Sequence, residues 1–232
     1  MKNPSIGELE KRDIQTVVSK VLKRLGNPEP PLVLDDVRSL LQLDRQYFSS
    51  TDDGAIRDIV SKVKCGLKQL IARPTLLKDV IAKAKLSALW LPDRNRILID
   101  QDVPILKHRW MEIHEVVHSL IPWHQGFMLG DTEHELSPAC HASIEAEANY
   151  GAGQLSFLMN RFVEEAQSVP LTIKSILALK GRFGNSINAT LWRTIEEACP
   201  NKAVVGLISE HPRYSDTPCK YCVESPDRKS VV

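Results

Sequence analysis

His114-Glu115-Val116-Val117-His118 is the stretch of this 232-residue chain that decides its reading. Two histidines four positions apart lie on one face of a helix, one turn from each other. That spacing lets both imidazoles reach a single Zn²⁺ ion. Glu115 stands one position along, beside such a metal and not on it. From there it can take a proton from an activated water and hand it to a leaving amine. The flanking Trp110, Ile113, Val116, Val117 and Leu120 are apolar and helix-compatible, so a core-facing helix is expected over 107–120. On these residues alone, two ordinary histidines on an amphipathic helix remain the competing explanation.

Working outward, the residues before this helix change character at Ser87. Ala88-Leu89-Trp90-Leu91, a Pro92-Asp93-Arg94-Asn95 turn and Arg96-Ile97-Leu98-Ile99-Asp100 together read as a β-hairpin. Beyond the helix, 122–140 reads as a loop and 143–162 as one continuous helix. Two further helices follow within 171–198, where Gly184 suits a helix C-cap and Ser186 an N-cap. The front of the chain is helical, with apolar spacing over 5–25, 33–41 and 55–72, and carries no chemistry of its own. After Ser209 the chain is polar, contains proline and has no periodicity, so an irregular tail is expected.

A catalytic zinc takes three protein ligands and keeps one position open. Glu145 and Glu147 open the segment Ile144-Glu145-Ala146-Glu147-Ala148-Asn149-Tyr150. Residues two apart on a helix diverge too far for both to face one ion. Either could complete a His-His-Glu set from a second, crossing helix. His124, His134 and His141 are rivals, but they fall in or beside the expected loop, where histidines are more often exposed than ligating. Tyr150, on the same helix, is a candidate donor to an oxyanion.

The stretch from Leu89 to about Ala198 resembles the ImmA/IrrE family of metallopeptidases. The features that carry the resemblance come in order. They are the hairpin ending at Asp100, the approach Lys107-His108-Arg109-Trp110 into HExxH, and Glu145-x-Glu147-Ala148-Asn149-Tyr150-x-Ala152. The apolar run 155–159 and a last helical pair around Arg182-Phe183-Gly184-x-Ser186 complete them. The resemblance implies that His114, His118 and Glu145 bind Zn²⁺ and that Glu115 is the catalytic base, with Glu147 as the alternative third ligand. It implies an α+β, mostly helical zincin-like domain with a small sheet over 86–209. A helical region (1–85) precedes it and a tail (210–232) follows. The expected activity is endopeptidase cleavage of a protein substrate, a helix-turn-helix repressor by analogy, and hence a part in transcription regulation. The alternative is a non-catalytic metal-binding module that binds a regulator, a toxin–antitoxin or anti-repressor partner. Two departures stand out: Val117 replaces the glycine usual before the second histidine, which predicts a slightly wider helix contact, and Gly151 replaces a phenylalanine.

Composition bounds the rest. A hydrophobic fraction of 43% and a charged fraction of 25% suit an ordinary globular protein able to bury a core without a structural metal. The formal net charge of +1 offers no global field for nucleic acid or anionic lipid, and direct nucleic-acid binding is not expected. Lys180-Gly181-Arg182 with Arg193 adds only local positive charge to the last helices. No apolar run suits a membrane span, and the first 25 residues lack the apolar core of an export signal. Five unevenly spaced cysteines make a poor disulfide framework, so a cytoplasmic setting is expected. Cys219-Lys220-Tyr221-Cys222, with His211 the only nearby histidine, reads first as incidental thiols, with a tail zinc knuckle of Cys219, Cys222 and His211 as the alternative.

Overall fold

The computed structural model describes residues 6–49, 88–92, 95–128, 138–208 and 221–224. The helix expected over 55–72, together with His134, His211 and Cys219, lies outside the described residues. What is described is mixed α+β, mostly helical with a small three-stranded sheet. No helix among the described residues is long and apolar enough to cross a membrane.

Contacts divide the chain into two compact units: Met1–Asn27 with Val33–Leu155, and Pro28–Leu32 with Ser156–Val232. This differs from the boundaries expected from the sequence, which set the helical front apart. Helix α1 (Glu8–Arg24) and helix α2 (Leu34–Leu41) belong to the same unit as the HExxH segment. The physical reason lies in shared packing and pairing: Ile14 of α1 and Val117 of the HExxH segment, both fully buried, lie against Gly151, and Arg38 of α2 pairs with Glu112. A polar tie adds to it, Gln15 Nε2 donating to the Tyr150 hydroxyl at 2.7 Å. Tyr150 is thus engaged with α1.

In the first unit the expected hairpin forms. Strand β2 (Ala88–Leu91) pairs antiparallel with strand β3 (Arg96–Asp100), and Trp90 stands opposite Ile97. Asn95 takes the left-handed conformation in the turn (φ 48°), which asparagine tolerates better than most residues. Its side-chain amide donates to the carbonyls of Leu41 and Gln42, fastening the turn to the end of α2. A strand the sequence reading did not anticipate, β1 (Asp44–Phe48), runs parallel to β3 and completes the order β1-β3-β2. Among the described strands only β3 is paired on both sides, and its Ile97, Leu98 and Ile99 are buried.

Helix α3 (Ile105–Leu120) carries HExxH and begins two residues earlier than its spacing predicts, directly after Pro104. The expected loop is helical at both ends, as α4 (Pro122–Met128) and as the first turn of α5 (Pro138–Ser156). Proline opens all three helices, at the N-cap of α3 and the first position of α4 and α5, where its lost N–H costs nothing.

The second unit corrects two expectations. The continuous helix expected over 143–162 is broken: α5 ends at Ser156, and α6 (Asn160–Gln167) starts after Leu158 and Met159, whose φ angles are 56° and 54°. The break places Phe157 edge-on to Phe162, ring centroids 4.6 Å apart, and Phe162 edge-on to Phe183 at 5.1 Å. An unbroken apolar run conceals such a break, because its composition suits a buried helix and a buried corner equally. The tail is also not wholly irregular: β5 (Tyr221–Glu224) pairs antiparallel with β4 (Val205–Ile208). Ahead of β4 in the sequence, α7 (Ile173–Phe183) ends at Gly184 in the left-handed conformation (φ 67°). Ser186 then caps α8 (Ile187–Arg193), its hydroxyl accepting from the Ala189 N–H. A π-helical turn, Thr194–Ala198, follows.

Candidate metal centre

Three side chains of the first unit bring donor atoms to one point. His114 and His118 project from successive turns of α3, and Glu145 comes from α5. His114 Nε2 lies 3.1 Å from His118 Nε2 and 3.1 Å from Glu145 Oε2, and His118 Nε2 lies 3.6 Å from Glu145 Oε1. Together the three could hold a metal ion. The spacing itself tests the fit. Donors bonded at about 2.0–2.1 Å in a tetrahedral arrangement sit roughly 3.3 Å apart. Two imidazole nitrogens turned toward each other and toward a carboxylate match that separation and make a poor hydrogen-bonding set, because two of the edges cannot share one proton.

Charge in the cluster follows the same geometry. Burial works against ionisation of Glu145, but the adjoining imidazoles of His114 and His118 outweigh it and hold the carboxyl far below the usual carboxylate range. His114 is pulled down by burial and pushed up by the Glu145 hydrogen bond and the charges of Glu115 and Glu145, for a net rise. Glu115 is 6% exposed. Burial raises its carboxyl, against the pull of His118, His114 and a hydrogen bond from the Trp90 backbone N–H. Strand β2 therefore helps to position Glu115.

Glu147 does not join the cluster. Its Oε2 accepts from Trp123 Nε1 at 2.6 Å and lies 3.0 Å from His124 Nε2. His124 in turn places Nδ1 3.0 Å from His118 Nδ1. The expectation that His124 is a surface histidine is thus corrected: it is 0% exposed, packed behind a candidate ligand. Burial, foremost, lowers its pKa to about 4, against the Glu147 hydrogen bond. The misreading came from its position four residues after the helix, where a loop was expected and α4 turns the chain back. His141 lies on α5, and its side chain is outside the described residues.

Sequence reasoning also passed over Glu112, which is 2% exposed on α3 and ion-paired to Arg38 of α2 and Arg45 of β1, both at 2.7 Å. A buried carboxylate needs such partners, and here they come from two elements that precede the site in sequence. In the second unit, both arginines of the last helices are engaged: Arg182 pairs with Glu165 and Glu29, and the buried Arg193 with Glu197.

No protein-family model matches the chain, and no curated protein matches it.

Proposed function

We propose that this chain is a zinc-dependent endopeptidase whose catalytic group is Glu115 and whose metal ligands are His114, His118 and Glu145. The observation that carries the reading is the convergence of those three donors beside a buried glutamate that a strand N–H orients. Three protein donors of this kind, two imidazoles and one carboxylate, are the set a catalytic zinc takes. When bound, zinc would supply the Lewis acid that activates water at neutral pH and polarises a peptide carbonyl. Glu115 accepts the proton of the attacking water and returns it to the departing amine nitrogen, acting as base and then as acid. Its burial favours the protonated form between those two steps. The zincin-like fold, and regulatory cleavage of a helix-turn-helix repressor, are part of the same proposal and rest on the sequence resemblance.

Metal content tests the centre directly. Purified protein supplied with zinc is expected to retain about one equivalent, and His118→Ala and Glu145→Ala are expected to retain far less. Equal, negligible zinc in all three would overturn the proposal. Zinc retained by a protein that cleaves no repressor offered to it would favour the other reading, a metal-binding module that acts by holding a regulator.

A further inference from the structure

We propose that Glu147 and His124 form a positioning relay that fixes the proton of His118 on Nδ1 and so keeps its Nε2 free for the metal. The inference rests on the zinc reading above and adds to it two residues that touch neither metal nor substrate.

The geometry has a direction. Glu147 Oε2, as a carboxylate oxygen, only accepts hydrogen bonds, and Trp123 Nε1 only donates. Trp123 holds that oxygen in place at 2.6 Å. The His124 Nε2 that lies 3.0 Å from the same oxygen must therefore carry a proton. A neutral imidazole has one N–H, so His124 Nδ1 presents a lone pair. That lone pair faces His118 Nδ1 at 3.0 Å, and the proton between the two nitrogens belongs to His118. His118 Nε2 is then left with its lone pair, pointing to His114 Nε2 and Glu145. Reversing any one link sets two lone pairs against each other between buried groups. His118 is 2% exposed and His124 0%. A partner on the far nitrogen of a ligating histidine orients the ring and raises its basicity, and removing one commonly costs 10–100-fold in metal affinity. This relay does so through an intervening imidazole.

Zinc dissociation constants by chelator competition test the proposal, on the full chain. His124→Leu removes the acceptor at similar volume and is expected to weaken zinc binding about 10–100-fold. His124→Gln can still accept from His118 and donate to Glu147, and is expected to recover most of that loss. Glu147→Gln keeps the shape and drops the charge, and is expected to fall between wild type and His124→Leu. The absorption spectrum of the cobalt-loaded protein should change in His124→Leu and return toward wild type in His124→Gln. Wild-type affinity and an unchanged spectrum in His124→Leu would overturn the relay. So would equal losses in His124→Leu and His124→Gln, which would mark His124 as packing alone. If wild type binds zinc no better than Glu145→Ala, the zinc reading itself has failed, and the relay with it.

Discussion

At the scale of the residue, Glu115 is pulled two ways. Apolar surroundings raise its carboxyl, while two histidines and a strand N–H stabilise its charge. In the proposed reaction such a group would take a proton and give it back. Glu115→Gln keeps the size and the acceptor for the Trp90 N–H but removes the proton-transfer function. Its zinc content is expected to equal wild type, while cleavage of a protein substrate falls by about 10²–10⁴-fold. Normal turnover by this variant would remove Glu115 from the mechanism. Glu112, three positions before Glu115 on the same helix, is held in an ion-pair network instead. Its replacement by alanine strands Arg38 and Arg45 and is expected to cost about 3–5 kcal/mol in denaturant unfolding. A loss of under about 1 kcal/mol, the level of a surface pair, would contradict that.

At the scale of the element, the approach of α3 to α5 decides whether the donors meet. Two of the positions where the sequence departs from the pattern it resembles, 117 and 151, lie against each other here. A Cβ placed on Gly151 would sit 2.6 Å from Val117 Cγ1 and 3.0 Å from Ile14 Cγ2. Gly151, having no Cβ, gives the bulk of Val117 its room. Valine has little rotameric freedom on a helix, so it cannot swing aside. Gly151→Ala is expected to lower stability by roughly 1–3 kcal/mol in spite of alanine's better helix propensity. Val117→Ala in the same chain should restore part of it, and additive losses in the double variant would refute the compensation. This pair also shows what sequence can and cannot disclose. HExxH announces its own geometry, because helical periodicity alone places both histidines on one face. Glu145 needed the resemblance to be preferred over Glu147, since nothing in the local pattern says which of two glutamates turns inward. His124 was out of reach, because its burial depends on α4 folding back behind α3. Strand β1 escaped because Asp44-Arg45-Gln46-Tyr47-Phe48 has no clean alternation and its partner is about fifty residues away.

At the scale of the whole molecule, both units are stitched from segments distant in sequence. In the second, Glu29 pairs with Arg161 and Arg182, and Glu165 pairs with the same two arginines. The Arg182 hydrogen bond, before burial and the Arg161 hydrogen bond, sets the balance that holds the Glu165 carboxyl below its ordinary value. Its folded pKa is thus lower than its unfolded one, about 4.3. The stabilisation is fully present above that value and fades as pH falls through the folded pKa. The melting-temperature difference between wild type and Glu165→Gln should therefore be constant from pH 7 to about 5 and shrink below about 4. It should be small throughout, because the network is partly exposed. A difference that grows on acidification would reverse the assignment. Last, His114, Glu115, His118, His124, Glu145 and Glu147 all fall within the unit that ends at Leu155. Substitutions over 156–208 thus alter none of the proposed ligands, and their expected route to the proposed activity is through the share of molecules a cell keeps folded.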